Sequence, residues 1–74
     1  MAATLTVALA LRAATARLDA SESARLDAEL LLAHCLGVTR TRLYSTPEFE
    51  LDASAVMRFD ALVAARVRHI PLAI

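Results

Sequence analysis

Apolar residues recur at helical rather than strand spacing along most of the chain. Val7, Leu11, Ala14 and Leu18 fall on one face, with Arg12 and Arg17 off it, and the alanines between them favour helix. The pattern predicts a first helix over residues 5–18 with Thr4 as its N-cap. A polar connector, residues 19–23, ends in Ser23, whose hydroxyl is placed to cap a second helix, Ala24–Leu36. After Gly37, Thr39 caps a short third helix, Arg40–Ser45, that carries Leu43 and Tyr44 inward. Pro47 ends it by pushing Thr46 out of the α region. In the loop that follows, Phe49 and Leu51 alternate and pin the backbone to the core. Asp52 then caps a fourth, longer helix, Ala53–Arg68, in which Val56, Phe59, Leu62, Val63, Arg66 and Val67 recur at steps of three and four. Arg66, Arg68 and His69 complement the dipole in its last turn, and Pro71 stops it. With no strand of useful length, repeat or linker, the expected fold is all-α: one domain over residues 1–74, a small bundle of four to five helices.

The stretch DAELLLAHCLG, residues 27–37, is the expected centre of that bundle. Leu26, Leu30 and Ala33 fall at i, i+4 and i+7, and Leu31 and Leu32 widen the face until the helix is buried on more than one side. Asp27 and Glu29 lie near its start, where negative charge is favourable. Gly37, the only glycine of the chain, closes it in the left-handed conformation.

Composition limits what such a bundle does. At 74 residues it buries only about 60% of the surface its unfolded chain exposes. One core of this size rarely supplies more than roughly 3 to 5 kcal/mol. A single cysteine, Cys35, makes no internal disulfide and points to a reduced, cytoplasmic chain. The apolar fraction of 58% exceeds the usual 45 to 50% or so, leaving apolar surface available to a partner. Eight basic and eight acidic residues give zero formal charge, so no long-range field draws nucleic acid or an anionic membrane. All eight bases are arginine. The apolar run at residues 5–11 lacks a preceding Lys or Arg and is cut by Arg12, unlike a secretory signal. No segment has the roughly 18 apolar residues of a membrane span.

Candidate chemistry is sparse. His34 and Cys35, with His69 as a third, suggest a metal set, but helix neighbours point about 100° apart and a fourth ligand is missing. The expected reading is a partly buried histidine and a small core thiol. Arg40 and Arg42 after a glycine turn suggest a helix-turn-helix reader, yet the helix is short and the net charge zero. Glu48, Glu50 and Asp52 read as a cap and solvated charges rather than general acids or bases.

Three segments, in order and over about residues 21–73, resemble the release-factor glutamine methyltransferase family called HemK or PrmC. They are Asp27-Ala28-Glu29 with Leu31-Leu32, His34 and Leu36-Gly37; Thr39-Arg40-Thr41-Arg42-Leu43-Tyr44; and Phe59, Leu62 and Arg66 followed by Pro71-Leu72-Ala73. Ala24, Ile70 and Ile74 depart from the proline, glutamate and tyrosine usual there. The resemblance implies a two-part parent enzyme: a helical N-terminal domain, a linking β-hairpin, and a Rossmann-like domain that binds S-adenosylmethionine. It implies methylation of the glutamine in the Gly-Gly-Gln loop of class I peptide-chain release factors. The family's Asn-Pro-Pro-Tyr segment and its glycine-rich cofactor loop are not among these 74 residues. No catalytic, cofactor-binding or metal residue is therefore expected in this chain, which is not expected to be an enzyme by itself. The implied partners are a class I release factor and the parent's own catalytic domain. Arg40 and Arg42 are the expected partner contacts, because guanidinium groups pair directionally with carboxylates and are enriched at interface hot spots. The alternative is a free-standing helical protein-protein interaction domain that covers its apolar surface with a second copy.

Overall fold

The computed structural model describes residues 5–19 and 22–68. Within them the chain forms four helices: α1 (Val7–Arg17), α2 (Ala24–Leu36), α3 (Arg40–Ser45) and α4 (Ala53–Arg68). The fold is all-α, with a lone antiparallel bridge between Thr6 and Glu50 as the only β pairing among the described residues. Three helices start or stop where the chemistry of their caps dictates. The Thr39 hydroxyl accepts from the Arg42 N–H at 3.1 Å to open α3, and Asp52 Oδ1 accepts from the Ala55 N–H at 2.8 Å to open α4. Gly37 closes α2 at φ +69°, while the Val38 N–H donates to Ala33 O and the Gly37 N–H to His34 O, the paired bonds of a Schellman stop.

The beginning of α1 differs from expectation. Its N-cap is Thr6, whose hydroxyl accepts from the Leu9 N–H at 3.3 Å; the expected cap Thr4 lies outside the described residues, as do His69 and Pro71. The N–H groups of Val7 and Ala8 donate to the carbonyls of Phe49 and Pro47 at 2.9 and 3.0 Å, and the Leu51 N–H donates to Leu5 O. The loop after α3 thus serves donors that a helix start otherwise leaves to water. Ser23 holds the N-cap position of α2, but its side chain makes no capping bond there.

One core runs through the four helices. Val7, Ala10, Leu11, Ala14 and Leu18 from the α1 side meet Ala28, Leu32 and Ala33 of α2, Leu43 of α3, Leu51 of the loop, and Ala55, Phe59 and Val63 of α4. Ala10 and Ala14 of α1 and Ala28 of α2 are nearly or wholly inaccessible within it.

The expected face of α2 is rotated. Leu30 is 50% exposed and Leu26 39%, whereas Ala28, Glu29, Leu32 and Ala33 are buried. Three consecutive leucines cannot all face one core, and the face turned inward is the one that contains Ala28 and Leu32 and that carries Glu29 to its partners on α3. Two other inward assignments are half met. Leu43 and Leu51 are buried as expected, but Tyr44 and Phe49 are more than half exposed. His34 is exposed, not partly buried, while Cys35 is intermediate and its thiol lies 3.5 Å from Ala55 O.

Candidate functional site

The most connected polar group of the fold is Glu29, which stands one turn into α2 with its side chain 4% exposed. Helical spacing brings Arg25, four residues earlier, alongside; its Nε donates to Oε2 at 3.0 Å. The Gly37 stop turns the chain so that α3 returns past α2, and two of its residues spaced i, i+4 reach the other oxygen. Arg40 donates to Oε1 from Nε at 3.1 Å and from Nη2 at 3.0 Å, and the Tyr44 hydroxyl donates to it at 2.8 Å. Burial pushes the Glu29 carboxyl upward, but the hydrogen bonds from Tyr44, Arg25 and Arg40, with the Arg40 charge, outweigh it and hold its pKa below the ordinary 4.5. A carboxylate so engaged accepts bonds and stays charged; it acts as a brace between α2 and α3. Tyr44 keeps its ring outside because only its hydroxyl is needed within.

A second pair ties α2 to α4. Arg66 Nη2 donates to Asp27 Oδ2 at 3.2 Å. Asp27 and Glu29 of the first motif segment therefore hold, respectively, Arg66 of the third and Arg40 and Tyr44 of the second. The segments that carry the family resemblance meet in space and fasten one helix to the next.

Arg42 stands apart from this brace. Its backbone carbonyl accepts from the Ser45 and Thr46 hydroxyls at 3.0 and 2.9 Å, which fixes the end of α3. Its guanidinium makes no hydrogen bond or ion pair among the described residues. It borders a cavity of about 130 Å³ lined by Leu36, Val38, Leu43, Thr46 and Phe49. Sequence reasoning grouped Arg40 and Arg42 together; the fold brings Arg40 to Glu29 and leaves Arg42 at the groove. It missed Glu29, although Arg25 at i−4 and the Arg40, Tyr44 pair were signals that a carboxylate had to sit between them.

Among the described residues no group of three His, Cys, Asp or Glu side chains is placed to hold a metal ion, and no helix is long and apolar enough to cross a membrane.

The motif geometry agrees with comparison to known proteins. Residues 10–74 match the family model described as the PrmC N-terminal domain. The chain belongs to this family. It is 51% identical over 65 residues to the release factor glutamine methyltransferase of Mycolicibacterium smegmatis, a match covering 85% of this chain and 22% of that protein. The protein of the same name from Shewanella oneidensis is 44% identical over 68 residues, covering 90% and 24%, and that from Escherichia coli K12 is 41% identical over 63 residues, covering 85% and 23%. The chain thus spans roughly a quarter of the length of these curated relatives. No solved structure gives a significant match. In this member of the PrmC N-terminal domain family, the Asp27–Arg66 and Glu29–Arg40–Tyr44 contacts are joints between the helices of the bundle.

Proposed function

We propose that this chain is the release-factor-binding domain of a release factor glutamine methyltransferase. It works in the cytoplasm beside a catalytic domain that transfers a methyl group from S-adenosylmethionine to the glutamine of the Gly-Gly-Gln loop during translation termination. The observation that carries this reading is the match of residues 10–74 to the family's N-terminal domain, joined to the shared name of relatives 41 to 51% identical. The site chemistry supports a binding rather than a catalytic role. The most buried carboxylate, Glu29, is engaged by three side chains, and no buried side-chain polar atom among the described residues lacks a partner. Partner contact falls to Arg42, with the half-exposed guanidinium of Arg40 beside it.

The test compares methylation of an intact class I release factor by the parent enzyme with and without this domain. Removing it should raise KM for the release factor while turnover of a short Gly-Gly-Gln peptide persists. An unchanged KM ends the reading. Replacing Arg40 and Arg42 together by alanine should weaken release-factor binding; binding that stays the same removes both from the interface.

A further inference from the structure

The structure carries a more specific assignment of that interface, one that rests on the release-factor reading. We infer that the groove between the end of α2, α3 and the loop at Phe49 takes a release-factor segment presenting one large apolar side chain directly beside an Asp or Glu.

Size sets the first requirement. The groove holds about 130 Å³, close to the roughly 150 Å³ of an apolar cavity that accepts benzene, so it takes one side chain of the leucine or phenylalanine class. Its walls are mainly apolar: Leu36 and Val38 flank the Gly37 turn, buried Leu43 forms the floor, and Phe49, 54% exposed, forms the rim. An aromatic ring left half in water beside an apolar recess gains further burial only when something enters.

Charge sets the second requirement. Arg17, Arg25, Arg40, Arg58 and Arg66 are each held within the chain; the guanidinium groups of Arg12, Arg42 and Arg68 make no hydrogen bond or ion pair among the described residues, and of these three only Arg42 borders the groove. Arg42 lines the groove with its guanidinium unpaired, so the occupant's complement is a carboxylate within reach of the apolar anchor. Glu48 and Glu50 flank Phe49 in sequence and are exposed, so the local charge disfavours an extended acidic stretch and favours a lone carboxylate beside Arg42.

The third observation is rigidity. The Phe49 N–H donates to Thr46 O at 3.1 Å and its carbonyl accepts from the Val7 N–H at 2.9 Å, while the Ser45 and Thr46 hydroxyls hold the Arg42 carbonyl. The backbone of both rims is fixed before a partner arrives, which lowers the ordering cost of binding.

The 74-residue chain, isotopically labelled, is titrated with an intact class I release factor, and Arg42→Glu and Phe49→Ala variants are compared by calorimetry after circular dichroism has verified their helicity. The expected result is that amide shifts cluster at residues 36–49 and each variant weakens binding about tenfold or more. Arg42→Glu should recover affinity when a single carboxylate of the release-factor segment is changed to lysine. If the wild-type chain binds but the shifts lie elsewhere and both variants bind normally, the groove assignment is wrong and the release-factor reading stands. If the wild-type chain does not bind at all, the release-factor reading fails and takes the groove's occupant with it. Should a variant lose helicity, Arg42→Gln, which removes only the charge of an exposed side chain, replaces it and must weaken binding for the assignment to hold.

Discussion

Asp27 and Arg66 stand 39 positions apart in sequence and 3.2 Å apart in space, joining the first turn of α2 to the last turn of α4. The Asp27 side chain is only 12% exposed and that of Arg66 47%, so the pair sits between a surface bridge and a buried one. Each charge also complements the dipole end of its own helix, Asp27 at the start of α2 and Arg66 at the end of α4, a favourable contribution separate from the pair. Arg66→Ala should cost about 0.5 to 1 kcal/mol, seen as a lower urea midpoint with an unchanged slope. An unaltered midpoint shows the bridge to be a bystander.

Glu29 carries more. Its removal leaves Arg25, Arg40 and the Tyr44 hydroxyl without their shared acceptor. Breaking a fully buried pair costs about 3 to 5 kcal/mol, but Arg25 and Arg40 are 54% and 43% exposed and regain water. Glu29→Ala should therefore destabilise by about 2 to 3 kcal/mol in chemical denaturation.

The same carboxylate makes stability depend on acid. Its pKa is lowered in the folded chain relative to the ordinary 4.5, so the unfolded state binds the proton more readily. Its contribution is complete above that value and is lost as pH falls through the lower folded value. Denaturation midpoints measured from about pH 6 to about pH 3 should fall at the acid end, and Glu29→Gln should flatten that part of the profile.

Neighbouring leucines of α2 should separate sharply. Leu32 is inaccessible and Leu30 half exposed. Leu32→Ala should cost about 2 to 5 kcal/mol, close to the whole stability of a domain this small, whereas Leu30→Ala should cost less than about 1 kcal/mol. Equal losses would return the helix to the face its leucine spacing suggests.

Gly37→Ala isolates a backbone effect. A Cβ at this position meets nothing within 4 Å, so no steric clash with a neighbour contributes. What remains is the positive φ of 69°, worth about 1 to 2 kcal/mol against an L side chain. Gly37→Asn, which tolerates that region better, should recover part of the loss when the three proteins are compared in thermal melts.

How much of this was legible in the sequence differs by helix. Helices α3 and α4 have the bounds their caps predict, because Thr39, Asp52 and Gly37 act locally: each needs only the N–H or carbonyl groups of its own turn. The orientation of α2 is a tertiary matter. Its leucines offered several apolar faces, and the one buried, with Ala28 and Leu32, is fixed by what packs on it from the rest of the chain. Glu29 was invisible for a related reason. A carboxylate near a helix start is ordinarily solvated, and only the return of α3 brings Arg40 and Tyr44 over it. Of the two arginines proposed for the interface, spacing along α3 did not distinguish the one aimed at Glu29 from the one aimed away.

The backbone bonds from Val7 and Ala8 to Phe49 and Pro47 carry a consequence for synthesis. Helix α1 leaves the ribosome before α2, α3 and the loop, and its middle turns can wind at once, but the carbonyls that finish its opening turn are still untranslated. Water occupies those donors until residues 47–51 emerge. Helix α1 is thus completed only after α2 and α3 have emerged, and order of emergence is not order of assembly.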